Sequence, residues 1–294
     1  MRVTEKMIFE GTLATLGTSR NNLAEAQDEL SSGKRVQAPG DDPAAAALVV
    51  RHRVEQSRLD AIGTTAQRAA DELNAADSAL DGVDNLLARA QQLATQLGND
   101  TYGAEDRASA ATEVDGLFSQ AVELLNTRYA GRYLFGGFQD ASPPFDATGA
   151  YHGDNGVRQV EIAPGLFEDA SVRADTTITG AGGGANLLTT LTDLANAMRA
   201  NDGTAIRATL GSFDQVGNQI ATARTRAGTA VNVFQGAVDQ CGQGSDQEKV
   251  LIGKLADADV LDASTRLSAA QTSLDATLTA AAKTFQLSLV DYLK

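Results

Sequence analysis

Apolar residues recur along this chain in alternating steps of three and four. The longest uninterrupted seam is Leu73, Ala76, Leu80, Val83, Leu87, Ala90, Ala94 and Leu97, which that spacing keeps on one face of a helix. A helical apolar spacing also reaches both ends, through Phe9, Leu13, Leu16, Leu23 and Leu30 at one and Leu267, Leu274, Leu278, Phe285 and Leu289 at the other. Chain ends normally fray, so stripes there predict something to bury them against. Each is narrow, and two together leave apolar surface for further copies or another partner to cover. These ten residues are the candidate self-assembly surface.

Turn and cap signals divide the pattern. A first helix over residues 4–30 ends at Ser31-Ser32-Gly33, and after an irregular stretch Asp42-Pro43 supplies an N-cap and a first-turn proline. The second helix runs through Leu48, Leu59, Ile62, Ala66 and Ala69 into the long seam, stops at Gly98-Asn99-Asp100, and a third, over 104–129, folds back antiparallel. Aromatics and glycines then replace alanine. Short β-branched stretches at 157–162 and 172–178, set off by Asp154-Asn155-Gly156 and Pro164-Gly165, predict a small β-rich insert. Helical spacing returns at Leu187 and resumes after Asn201-Asp202-Gly203 up to Val238, Gly242 and Gly244 mark a weak point, and Asp257-Ala258-Asp259 opens the last helix. The expected fold is mainly α: elongated, nested antiparallel long-helix coiled-coil rods formed from both chain ends. Terminal helices occupy 1–42 and 257–294, helical rods 43–138 and 185–256, and the insert 139–184.

Composition narrows the function. The net charge of −14, with Lys34-Arg35 and Arg51-His52-Arg53 only as small basic islands, argues against nucleic acid and for protein partners. The 43% hydrophobic content includes few aromatics and no Trp, which suits close-packed helices better than a ring-lined pocket. One cysteine, Cys241, precludes an intramolecular disulfide. The opening Arg-Val-Thr-Glu-Lys lacks the apolar run of a secretory signal, and no run of roughly 18 apolar residues predicts membrane insertion.

Reactive candidates are scattered. His52 and His152 fall in different segments, and Cys241 has no nearby histidine and reads as a packing residue. Asp257, Asp259 and Asp262 resemble the start of a calcium loop without its glycine and distal glutamate. Gly180-Ala181-Gly182-Gly183-Gly184-Ala185 satisfies a permissive dinucleotide fingerprint, but no second parallel strand is expected and Asp202 lies in a turn, so it reads as a linker. No catalytic residue, cofactor or metal is expected.

Leu30-Ser31-Ser32-Gly33-Lys34-Arg35-Val36 with Pro39-Gly40-Asp41-Asp42-Pro43-Ala44-Ala45 resembles the N-terminal signature of the flagellin family. Met1-Arg2-Val3-Thr4, Gly131-Arg132-Tyr133-Leu134-Phe135-Gly136-Gly137 and the closing Phe285-Gln286-Leu287-Ser288-Leu289 are similar to its hook-associated branch. The resemblance implies a structural protein at the junction of hook and filament in the bacterial flagellum. It implies terminal helices in an inner tube layer and an outward insert, with copies of itself, a neighbouring hook-associated protein and flagellin as partners. It also implies type III export to the cell exterior without a cleaved signal peptide, and an export chaperone bound through Leu267, Leu274, Leu278, Phe285 and Leu289. The terminal segments are then expected to stay largely disordered until neighbours bury their stripes. The filament subunit, flagellin itself, is the alternative; a coiled-coil adaptor and a nucleotide-binding enzyme are more remote.

Overall fold

The computed structural model describes the backbone over residues 2–292 and the side chains over residues 6–283 except Ile8. Its helices are α1 (Arg2–Ser32), α2 (Pro43–Leu97), α3 (Ala104–Leu125), α4 (Ala174–Thr177), α5 (Leu187–Arg199), α6 (Gly203–Ala256) and α7 (Val260–Tyr292). Two antiparallel hairpins complete it, β1 (Arg128–Tyr129) with β2 (Arg132–Tyr133) and β3 (Gln159–Ala163) with β4 (Leu166–Asp169). The chain is therefore mostly helical with a small β-containing insert. It divides into a terminal unit, Met1–Arg58 with Gly244–Lys294, and a central unit, Leu59–Gln243.

The central unit holds the larger core. Every member of the long α2 seam from Leu73 to Leu97 is at most 3% exposed, and it meets Ala111, Val114 and Ala121 of α3, Leu191, Leu194 and Met198 of α5, and Ile206, Phe213, Ile220 and Phe234 of α6 in one cluster. Alanine at so many of these positions lets helix axes approach closely, which dispersion between packed surfaces rewards. Along that core α2 and α6 run antiparallel: Gln91 bonds Asp214 at 3.1 Å and Arg224 bonds Asp77 and Asp81 at 2.8 and 2.9 Å. Such exposed pairs fix register more than they stabilise. Helix starts are capped as their sequences require. Asn186 accepts from the Thr189 amide at 3.0 Å, and Asp202 accepts from Thr204 and Ala205, both at 2.9 Å.

At one end of this core lies Arg107, 4% exposed. Its Nε donates to the Leu97 carbonyl at 2.9 Å, one terminal nitrogen to the Asn99 carbonyl at 3.1 Å, and the other to Asn201, at 3.0 Å to the carbonyl and 2.7 Å to Oδ1. One guanidinium thus serves the carbonyl-rich C-terminal ends of α2 and α5.

Two expectations need correction. The third helix ends at Leu125 rather than 129, because the Asn126 side chain bonds the Phe145 backbone in both directions, at 2.8 and 3.0 Å, and draws the chain into β1. The stretch 172–178 is not a strand: it closes into α4, with Val172, Ala174 and Ile178 buried and the Ile178 amide bonded to the Ala174 carbonyl at 2.9 Å. As the spacing predicts, α6 runs on through Gly242 and Gly244, at a cost of about 1 kcal/mol for each helical glycine, and the boundary between the two units falls at this point of the helix.

Just ahead of the insert, Ala130 (φ +48°) and Gly131 (φ +86°) make the tight turn joining β1 to β2. Glu72 of α2, 9% exposed, pins the insert by receiving Arg132 at 3.1 Å and also Arg158. Burial pushes the Glu72 carboxyl up, and the Arg132 guanidinium pulls it partly back. Tyr151 stacks 5.1 Å from Phe145, and its hydroxyl donates to the carbonyls of Asp154 (2.8 Å) and Phe135 (3.1 Å). Burial, reinforced by Asp175 and Asp154, pushes that phenol up to about 12. The folded value lies above the ordinary one near 10, so this contribution to stability is intact below pH 10 and lost as pH rises through about 12. Tyr151 is therefore expected to ionise late in an ultraviolet titration, and Tyr151→Phe should abolish that late phase.

Candidate assembly interface

In the terminal unit α1 and α7 pack antiparallel. Ser19 lies opposite Thr277, their hydroxyls 3.3 Å apart; Glu29 receives Arg266 at 3.0 Å; and the Gly33 carbonyl accepts from the Ala258 amide at 2.9 Å. The three-four spacing continues through the contact. On α1 it runs Leu16, Ser19, Leu23, Ala26, Leu30, and on α7 Ala263, Leu267, Ala270, Leu274, Thr277, Ala281. Its fully buried members are the small ones, Ser19, Ala26, Ala263 and Ala281.

The ten predicted residues therefore separate. Leu16, Leu23, Leu30, Leu267 and Leu274 are half-buried along the seam within the chain. Phe9, Leu13 and Leu278 keep 49%, 47% and 42% of their surface exposed, with Met7 beside them at 66%. The side chains of Phe285 and Leu289 lie outside the described residues. Two helices meeting through alanine and serine bury little, and a groove of about 400 Å³ lined by Asn22, Ala26, Ala269, Ala270 and Ser273 stays open along one side. An isolated pair with so thin a seam is marginal in water.

A crossover joins this pair to the start of α2. Gly33, in the left-handed region at φ +67°, closes α1 by donating to the Glu29 carbonyl at 3.0 Å. Arg35 and Val36 donate their amides to the Ala256 carbonyl at 2.7 and 3.2 Å, Lys34 pairs with Asp257 at 2.6 Å, and the Arg35 guanidinium reaches the Leu255 carbonyl at 2.8 Å. Asp41 accepts from the amides of Ala38 and Gln37, at 2.8 and 2.9 Å, and these bonds hold its carboxyl below the usual range. Asp42 caps α2 through the Ala45 amide at 3.0 Å, and Val49 packs on Ile252 and Ala256. Each polar member of the signature over residues 30–45 thus has a structural task.

The other singled-out residues are occupied structurally. His52 Nδ1 stands 2.6 Å from Glu248, His152 bonds Asp146 at 2.9 Å, and burial raises the Cys241 thiol. Asp257 pairs with Lys34, Asp259 caps α7 and Asp262 pairs with Arg266; among the described residues no three His, Cys, Asp or Glu group to hold a metal. The glycine-rich turn is a seat for Gln219, whose amide bonds Ala185 in both directions at 2.8 and 3.1 Å; a Cβ at Gly184 would fall 2.3 Å from Gln219 Oε1. The described strands pair antiparallel, leaving no parallel strand beside that turn. No described helix is long and apolar enough to cross a membrane. Attention to large residues alone overlooked the buried small ones at Ser19, Ala26, Ala263 and Ala281, whose positions were readable as the gaps between leucines.

Residues 3–140 match the family described as the bacterial flagellin N-terminal helical region. Flagellar hook-associated protein 3 of Salmonella typhimurium (strain LT2) is 34% identical over 155 residues, 52% of this chain and 49% of that protein. Flagellin of Listeria monocytogenes serovar 1/2a is 33% identical over 127 residues, 43% of this chain and 44% of that protein. The chain spans about half the length of the curated relatives it matches. In fold it is similar to the flagellar junction protein FlgL from Legionella pneumophila, with a TM-score of 0.56 at 14% identity, covering 71% of this chain and 100% of that one. Over residues 3–140 the chain thus resembles the N-terminal helical region of bacterial flagellins, and over 155 residues it is similar to flagellar hook-associated protein 3.

Proposed function

We propose that this chain is a structural subunit of the bacterial flagellum that forms the junction between hook and filament by self-assembly of its terminal helices. The observation that carries this reading is the α1–α7 pair: its seam is thin, and Phe9, Leu13 and Leu278 present apolar surface beyond it. The similarity to hook-associated protein 3 over 155 residues supports the same role. In this proposal residues 1–42 and 257–294 build the inner layer, 43–138 and 185–256 the rods around it, and 139–184 the outward insert. The partners are copies of itself, a neighbouring hook-associated protein and flagellin. An export chaperone covers Leu267, Leu274, Leu278, Phe285 and Leu289 before the chain leaves the cell without a cleaved signal peptide. The role is structural rather than catalytic.

Electron microscopy of flagella from a strain lacking the gene, with the medium probed for flagellin, tests this directly. Hooks without filaments and soluble flagellin outside are the expected result. Filament loss with no flagellin shed would favour the filament subunit instead, and intact flagella would overturn both.

A further inference from the structure

Exposed apolar residues are distributed unevenly between the two units. Among the described residues, eleven large apolar side chains stand exposed in the terminal unit and three in the central unit, the latter all in loops or at a hairpin. Formal charge divides the other way. The 13 Lys and Arg of the terminal unit nearly balance its 15 Asp and Glu, whereas the central unit sets 11 against 23. Low net charge with exposed apolar surface favours association, and a strong single-sign charge keeps a chain soluble.

The excess apolar surface is not confined to α1 and α7. On α2 within the terminal unit, Val50 and Val54 are 59% and 64% exposed one turn apart, while Val49, their neighbour, is buried against Ile252. Arg51 and Arg53 share this stretch, are exposed, and make no ion pair among the described residues. Among the described residues Arg20, Arg68 and Arg226 are likewise exposed without an ion pair, and what sets Arg51 and Arg53 apart is that they lie between two exposed valines on one stretch of helix. The same chain carries exposed acids without ion pairs among the described residues, Asp193 and Asp239 among them.

We infer that the Val50–Val54 face of α2, with Arg51 and Arg53, docks a second copy of this chain through that copy's acidic side chains, extending the assembly surface beyond the terminal helices. This rests on the self-assembly proposed above. The valines supply apolar contact, and the arginines set orientation by opposite charge. The occupant is a second copy because the chain itself supplies the complementary charge in excess.

The test is sedimentation of the purified full-length chain at about 0.05 M and 0.5 M salt, across which attraction between exposed charges is largely screened. Wild type is expected to self-associate more strongly at low salt. R51E/R53E should weaken association about tenfold or more at low salt and remove the salt dependence, with helical circular dichroism unchanged. V50S/V54S should weaken it at both salt concentrations. Association of R51E/R53E equal to wild type would overturn the assignment, as would a wild-type chain that binds purified flagellin or anionic vesicles but never itself. The gene-deletion experiment reads the junction role separately: hooks without filaments together with undiminished association of R51E/R53E would sink only this docking face.

Discussion

Replacing Arg107 by methionine is expected to lower the thermal unfolding midpoint of the central unit by roughly 6–12 °C, from a loss of about 3 kcal/mol. Methionine matches much of the buried volume, so the loss isolates the hydrogen bonds rather than a cavity. The guanidinium is the shared donor for the Leu97, Asn99 and Asn201 carbonyls, and among the described residues it makes no ion pair. Its charge is balanced instead by the negative ends of two helices. Removing it leaves several acceptors with no partner, and a buried unsatisfied group costs about 1–3 kcal/mol. Arg107→Lys keeps the charge but lacks the planar fork, so it should fall between wild type and methionine. Scanning calorimetry of the three proteins decides the matter. A shift under about 2 °C for methionine would mean that water replaces the guanidinium and that the junction of α2, α3 and α5 does not depend on it.

Arg107 also marks a limit of sequence reading. The long seam from Leu73 to Leu97 was legible because eight apolar residues obeyed one period without interruption, and every one of them is buried. The caps at Asp42, Asn186 and Asp202 sit where a short polar side chain precedes a helical run, and Asp42-Pro43 announced itself. A single arginine in α3 carries no comparable signal. Its partners come from residues near 97 and 201, and only the fold brings them together. Glu72 is hidden for the same reason, being one acid among many until Arg132 arrives from β2 and Arg158 from the insert.

The insert was the least legible part. Local propensity favoured a strand at 172–178, but burying Val172, Ala174 and Ile178 together suits a helical turn, and tertiary contact prevailed over the β-branched composition. The glycines of Tyr133-Leu134-Phe135-Gly136-Gly137 marked a change of character without giving its reason. A Cβ at Gly136 would sit 2.5 Å from the Gln139 carbonyl, and one at Gly137 would strike the Asp154 carboxylate, which instead accepts from the Phe138 and Gly156 amides, both at 2.8 Å. These are close approaches between segments, and no periodicity encodes them. At the terminal helices the pattern located the stripes but could not divide them, since leucines four residues apart look alike whether they face a partner helix or solvent.

That division makes Leu274→Asp and Leu278→Asp behave differently although they lie one turn apart. Leu274 is half-buried against α1, and a carboxylate there must either stay desolvated or break the seam, at a cost of about 1–3 kcal/mol. A two-helix pair held by Ser19, Ala26, Ala263 and Ala281 has little stability to lose. Leu274→Asp is therefore expected to abolish hydrogen-exchange protection across α1 and α7 while the central unit keeps its own. Leu278 is 42% exposed, so Leu278→Asp should leave that protection and the helical content as in wild type. In a complemented deletion strain Leu278→Asp should nonetheless fail to enter the junction, and flagellin should appear in the medium. Normal filaments on the Leu278→Asp subunit would remove this face from the assembly surface. Unchanged protection in Leu274→Asp would show that the leucine does not hold the pair together. A wild-type subunit with no protection in either terminal helix would instead mean that α1 and α7 form only against neighbours, so that assembly supplies the burial that the thin seam lacks.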